Sequence, residues 1–175
     1  MKKLLILLTV LVVAGSAEAK IRVGLKGGLN FASFPKSNVY VFDNRTGWHI
    51  GGMMNIGLPL FGLAVQPEFM YSSKGADGAS SGYVEIPVDL QWGFKLPLLR
   101  PYLSLTPYMS YAVNSNMPMT DINKWDGGIG VGAGIDIWKL QLSIKYFWGF
   151  GKVTDLLGSP SPQNRNLMLS LGIFL

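Results

Sequence analysis

Residues Gly82–Leu96 read GYVEIPVDLQWGFKL, and their alternation decides the fold. From Val84 onward every second residue is apolar: Val84, Ile86, Val88, Leu90, Trp92, Phe94 and Leu96. Between them stand Glu85, Pro87, Asp89, Gln91, Gly93 and Lys95. Period-two alternation of this length is a strand signal, because successive side chains point to opposite faces. A helix would wrap Asp89 and Leu90 into one stripe. The run is longer than the ~5–6 residues usual in soluble sheets. A tilted strand that crosses a bilayer needs roughly 9–11 residues. One face is wholly apolar and the other carries charges of both signs, which is the pattern of a barrel strand with lipid outside and a polar lumen inside.

The same grammar recurs along the chain. A first strand from about Ile21 to Phe34 sets Ile21, Val23, Leu25, Leu29 and Phe31 against Arg22, Lys26 and Asn30. A second, about Thr46–Leu58, sets Trp48, Ile50, Met54 and Ile56 against His49, Met53 and Asn55. A third, about Phe61–Ser73, sets Leu63, Val65, Phe69 and Tyr71 against Gln66 and Glu68. Pro67 removes a ladder donor, so a bulge or kink is expected there. Gly82–Leu96 is the fourth strand. The fifth, about Arg100–Asn114, alternates less cleanly, because Tyr102, Tyr108 and Tyr111 fall on both faces. In the sixth, Trp125–Trp138, Ile129, Val131, Ala133, Ile135 and Ile137 oppose Gly128, Gly130, Gly132 and Gly134. The seventh, about Leu140–Lys152, sets Leu140, Leu142, Ile144, Tyr146, Trp148 and Phe150 against Gln141, Ser143 and Lys145. The last, Arg165–Leu175, sets Leu167, Leu169, Leu171, Ile173 and Leu175 against Met168, Ser170, Gly172 and Phe174.

Eight strands in an up-and-down order predict an all-β, closed, antiparallel transmembrane barrel. The connections near Pro59, Pro97 and Trp138 are short. Those at 35–45, 74–81, 115–124 and 154–164 are long. Short periplasmic turns alternating with longer external loops are the asymmetry of bacterial outer-membrane barrels. Both ends of the strand-forming chain then lie on the periplasmic side. Closure also removes sheet edges, which lipid cannot hydrate.

Composition agrees. The chain has 175 residues, enough for one domain. Hydrophobic residues make up 49%, yet beyond the N-terminus no apolar run reaches the ~18 residues of a membrane helix. There are no cysteines, which excludes disulfides and thiolate metal sites. Residues 1–19 read as a secretory signal: Lys2 and Lys3, an apolar Leu4–Ala14 core, and a small-x-small site at Ala17-Glu18-Ala19, leaving residues 20–175 as the barrel domain. Formal net charge is +5, and removing 1–19 takes away Lys2, Lys3 and Glu18 to leave +4. That modest balance, without a basic helix, gives no nucleic-acid footprint.

VGLKGGLNFASF at Val23–Phe34, QPEFMYSSKG at Gln66–Gly75 and VEIPVDLQWGF at Val84–Phe94 resemble the PorT-like outer-membrane β-barrel domain family. The resemblance spans the whole chain after residue 19. It implies an outer-membrane barrel, in some relatives one that serves protein secretion, and it carries no catalytic residues. Barrel proteins of this kind commonly end in an aromatic residue. This chain ends Ile173-Phe174-Leu175, one place off.

Candidate chemistry is sparse. His49 is the only histidine and faces the lumen by alternation. A lipid-modifying enzyme would need a nucleophile beside it, and no serine lies two residues away. The GxG spacing at Gly128–Gly134 lacks the following helix that a phosphate loop requires. It reads instead as a stripe that makes room for large lumen side chains. Asn44-Arg45-Thr46 matches a glycosylation sequon, which is incidental in a bacterial-type loop. The informative set is the lumen charge cluster Arg22, Lys26, Glu68, Glu85, Asp89, Lys95, Asp136 and Lys145. An eight-stranded interior is just wide enough for side chains to fill, and isolated buried charge is very costly, so these eight are expected to pair as a structural plug. No cofactor and no metal is expected. The expected function is a non-enzymatic, structural or loop-mediated barrel associated with secretion or assembly. A narrow channel stands second and a lipid-modifying enzyme third. The expected partners are outer-membrane lipids and lipopolysaccharide, the barrel-assembly machinery and another envelope protein.

Overall fold

A computed structural model of the chain describes residues 20–33, 45–59, 62–76, 79–94, 96–114, 125–149 and 165–175. It contains eight strands: β1 (Lys20–Ser33), β2 (Arg45–Gly57), β3 (Leu63–Ala76), β4 (Ala79–Gly93), β5 (Leu99–Asn114), β6 (Trp125–Ile137), β7 (Leu140–Gly149) and β8 (Arg165–Phe174). Each pairs antiparallel with its neighbours in sequence, and β8 pairs back onto β1 to close the barrel. Closure satisfies in the ladder the backbone groups that lipid would leave unpaired.

The alternation read from sequence sets both faces. Ile21, Leu25, Ile50, Phe69, Ile86, Leu90, Leu103, Leu142 and Leu171 are exposed on the outside. Lys26, Asn30, His49, Gln66, Glu68, Asp89, Gln91 and Lys145 are buried inside. The protein is thus inverted relative to a soluble domain, with its apolar side chains out and its polar ones in. Aromatic pairs mark both rims of the outer surface. At the end that carries connections 34–44, 115–124 and 150–164, the loop end, Trp48 meets Tyr71, Tyr111 meets Trp125 and Tyr146 meets Trp148, with ring centroids 5.8, 5.0 and 4.8 Å apart. At the opposite, turn end, Trp92 and Phe94 lie 5.7 Å apart. Lys20 and Leu175 both belong to the turn end, where Leu175 N donates to Val23 O at 2.9 Å.

The structure corrects three local expectations. Residues 74–81 are mostly not loop: Lys74 pairs with Ser81, Gly75 with Ser80 and Ala76 with Ala79, so the β3–β4 connection is residues 77–78. Serine and glycine have weak strand propensity, but a partner strand in register overrides it. β4 correspondingly runs from Ala79 to Gly93 rather than from Gly82 to Leu96. At Pro67 there is no register shift: Met53 faces Glu68 and Ile56 faces Val65 in one continuous register, and only the rungs between them drop out. Proline removes a donor while its φ stays compatible with a strand. The ladder shifts instead between Gly82 and Tyr83, where β4 meets β5. The signal segment 1–19, the long connections 34–44, 115–124 and 150–164, the sequon residue Asn44, Phe150 and Lys95 lie outside the described residues.

The glycine stripe of β6 behaves as its spacing predicts. A Cβ on Gly130 would fall 2.6 Å from the Phe147 ring, one on Gly134 2.4 Å from the Tyr102 ring, and one on Gly132 2.8 Å from Lys145 Cγ. Phe147, Tyr102 and Lys145 each lie over a glycine of β6.

Candidate functional site

Among the described residues the charged side chains gather in the lumen, which is layered along the barrel axis. At the turn end, Asp136 on β6 accepts from two arginines. Its Oδ2 lies 2.6 Å from Arg22 Nη2 and 3.3 Å from Arg100 Nη1. Arg22 also donates to Asn55 Oδ1 at 3.2 Å and lies over the Phe174 ring, 4.0 Å from its centroid. Arg100 also donates to Gln91 Oε1 at 2.9 Å and to the carbonyl of Gly62 at 3.1 Å. Two cations share one carboxylate here. Both stand toward the mouth, with side chains 23% and 11% exposed, so water offsets the excess charge.

An amide layer follows. Gln66 and Gln141 exchange hydrogen bonds of 2.9 and 3.1 Å across the lumen. Gln141 also donates to Asp136 Oδ1 at 2.9 Å, and Gln66 to Glu68 Oε1 at 2.7 Å. Asn55 Nδ2 donates to Gln66 Oε1 at 2.9 Å and to Gln91 Oε1 at 3.1 Å.

The middle layer is ionic and buried. Lys26 on β1 pairs with Glu68 on β3, both side chains wholly buried. Lys145 on β7 lies 3.4 Å from Glu68 Oε1 and 2.6 Å from Asp89 Oδ2 on β4. Thr106 Oγ1 donates to Asp89 Oδ1 at 2.8 Å. Two cations and two anions cancel, and hydrogen bonds from neutral groups supplement the pairs. Buried ion pairs persist only with such support, because each desolvated ion loses several kcal/mol of hydration.

Nearer the loop end, His49 reaches from β2 across β1 to β8. Its row is defined by register: His49 faces Gly28, and Gly28 faces Ser170. Asn30 Nδ2 donates to Ser72 Oγ at 2.6 Å, which turns Asn30 Oδ1 toward His49 Nδ1 at 2.8 Å. An Nδ1–H donated there leaves Nε2 as acceptor for the Ser170 hydroxyl at 2.9 Å. The tautomer is assigned from this network. The order serine, histidine, amide is that of a base-activated hydroxyl. Hydrolysis also needs oxyanion donors and a path for substrate. Ser170 is only 2% exposed, and the strands around it direct their backbone N–H groups into ladders.

Of the eight lumen charges read from sequence, Arg22, Lys26, Glu68, Asp89, Asp136 and Lys145 join these networks. Glu85 is buried on the same face, in register with Ser110 of β5. Lys95 lies outside the described residues. Sequence reasoning missed Arg100, which holds Asp136 from β5. Its signal was present: Arg100 is in phase with Tyr102, Ser104, Thr106 and Ser110, all of them buried. It also missed Ser170 as the partner of His49, because 121 residues separate them. Among the described residues no group of three or more His, Cys, Asp or Glu is placed to hold a metal ion.

Comparison with known proteins bears on the fold. Neisserial surface protein A is 15% identical and superimposes with a TM-score of 0.64, over 90% of this chain and 97% of that one. The outer membrane enzyme PagL is 9% identical with a TM-score of 0.58, over 89% and 100%. The N-terminal β-barrel domain of Pseudomonas aeruginosa OprF is 13% identical with a TM-score of 0.52, over 90% and 100%. At such identities the likeness is one of fold alone. A search of curated protein sequences finds no match. The model of the outer membrane protein β-barrel domain matches residues 14–155, and the chain belongs to that family as a small eight-stranded outer-membrane barrel.

Proposed function

We propose that this protein is a non-enzymatic, non-conducting outer-membrane barrel that acts through its loop end, binding an envelope partner in secretion or assembly. The carrying observation is the buried Lys26–Glu68–Lys145–Asp89 layer, which ties β1, β3, β4 and β7 together across the lumen. A lumen occupied by its own ion pairs leaves the outer surface and the connections as the places for partners. The PorT-like segments Val23–Phe34 and Val84–Phe94 support a secretion- or assembly-associated role, and the leader-like residues 1–19 support export by cleavage of a signal. Lipopolysaccharide and the barrel-assembly machinery complete the partner set. Crosslinking in intact outer membranes tests the reading. A protein captured by the wild type and lost when residues 34–44 and 150–164 are shortened supports it. Loss-free capture, or none, contradicts it.

A second reading, a narrow channel, rests on a different observation. Gln91 Nε2 and Ser104 Oγ face each other across β4 and β5 and are buried without a protein hydrogen-bond partner. Such groups favour water along that wall. The His49–Ser170 pair favours the third reading, a lipid-modifying enzyme, which lipid A mass spectra from cells with and without the gene would expose.

A further inference from the structure

Three neighbouring strand ladders are interrupted, and the interruptions join into one line. Between β2 and β3 the pairing stops after Met53 opposite Glu68 and resumes at Ile56 opposite Val65. Between β3 and β4 it stops after Pro67 opposite Val88 and resumes at Met70 opposite Glu85. Between β4 and β5 it stops after Pro87 opposite Tyr108 and resumes at Leu90 opposite Leu105. Carried through each gap, the register puts Pro67 opposite Met54, Pro87 opposite Glu68 and Pro107 opposite Val88. Proline has no N–H, so each gap leaves a neighbouring carbonyl without its ladder donor. Among the described residues the ladders β1–β2, β5–β6, β6–β7, β7–β8 and β8–β1 run without a break.

The line coincides with the anionic half of the ionic layer. Glu68 stands in the gap between β3 and β4, and Asp89 stands with Thr106 in the gap between β4 and β5. Both buried anions therefore ride on interrupted strands. Their cations do not: Lys26 pairs with Glu68 from β1, and Lys145 pairs with Asp89 from β7, and the ladders on both sides of β1 and β7 are continuous. Toward the loop end, 70–76 of β3 and 79–85 of β4 pair without a break, from Met70 opposite Glu85 to Ala76 opposite Ala79. This upper hairpin meets β5 through a second irregularity, the register shift between Gly82 and Tyr83. A well-paired hairpin thus stands above a line of missing ladder bonds.

We propose that this line is a hinge: the loop-end half of the β2–β5 wall bends about Pro67, Pro87 and Pro107, and the Lys26–Glu68 and Lys145–Asp89 pairs are the latch that holds it in place. Local opening concentrates where backbone hydrogen bonds are few, and here they are missing on three ladders in succession. The ion pairs oppose that opening by tying the interrupted strands to the continuous ones across the lumen. A partner that seats on the loop end pulls on the wall that carries Glu68 and Asp89. Release of either pair loosens the loop end in return, because coupling between two sites is reciprocal. The coupling to a partner rests on the loop-end reading above. The hinge and its latch do not.

Residue-resolved amide exchange of the folded barrel in detergent micelles tests the hinge. The amides of Glu68, Phe69, Ile86, Val88 and Asp89 should exchange faster, by about tenfold or more, than those of Val131, Ile144 and Leu169 on the unbroken ladders. Equal protection on both sides of the barrel would overturn the proposal. Pro67 and Pro107 point outward, so the double variant Pro67→Val, Pro107→Val restores two donors without adding volume to the lumen. It should slow exchange along the line, and unchanged exchange there would also overturn the proposal. Glu68→Gln tests the latch separately and does not depend on that variant folding. It should speed exchange along the line and in 79–85 while β6 and β7 keep their protection. A uniform rise over all strands would show general destabilisation and no latch. Exchange needs no partner, so a failure to capture one by crosslinking leaves these outcomes standing.

Discussion

His49 on β2 and Ser170 on β8 are joined by a 2.9 Å hydrogen bond that passes over the strand between them. The bond exists because Gly28 on β1 has no side chain. A Cβ there would lie 1.9 Å from Leu169 O, 2.8 Å from His49 Cε1 and 2.8 Å from Ser170 Cα. Gly28→Ala should therefore separate β1 from β8 at the closing seam and cost about 1–3 kcal/mol, as overpacking of an interior does. Urea unfolding in liposomes measures it. A neutral result would mean that the seam yields freely.

The ionic layer predicts a non-additive pair. Glu68→Gln leaves Lys26 buried beside an amide, and losing one partner of a buried pair costs about 3–5 kcal/mol. Lys26→Met alone should also destabilise, because among the described residues Glu68 then retains Lys145 at 3.4 Å and Gln66. The double variant should be less damaged than the sum, with a coupling of about 1–3 kcal/mol. Additive single costs in a thermodynamic cycle would show that the two groups do not depend on each other.

The outer face predicts the opposite chemistry. Leu90 neighbours buried Asp89 and Gln91 in sequence but is exposed to lipid. Leu90→Arg should cost about 2–4 kcal/mol, the range for a cation near the bilayer midplane. An unchanged unfolding midpoint in liposomes would place this face outside the hydrocarbon.

The β6 stripe gives a paired test within one strand. Gly130→Val drives a side chain into the Phe147 ring, whereas Ala133→Val extends into lipid from an exposed position. The first should abolish the heat-modifiable band on unboiled SDS gels or lower its melting temperature by several degrees, and the second should leave it in place. Equal behaviour would show the two faces reversed.

Much of this was legible in the sequence because a barrel strand is read locally. The alternation of Val84–Phe94 gives its inside and outside without reference to any other strand, and Asp89 and Gln91 are accordingly buried in the lumen while Leu90 and Trp92 are exposed. The misses were non-local. Whether residues 74–81 form strand depends on the register between β3 and β4, which Ser and Gly side chains do not announce. His49 finds Ser170 only after β8 pairs with β1, and no spacing along the chain encodes that closure. Arg100 was obscured by its neighbour Tyr102, a residue type found on both faces of barrel strands, although Tyr102 is buried inside here. Pairing among charges was likewise beyond the sequence. Their balance could be counted, but Lys145 dividing itself between Glu68 and Asp89 is a fact of three-dimensional placement.

The central claim is that the lumen is closed by its own side chains, and planar-bilayer recording of the purified wild-type protein tests it most directly. With Lys26, Glu68, Asp89 and Lys145 filling the middle layer, the account predicts no steady current across the barrel. Stable, repeatable single-channel steps from the wild type would contradict it.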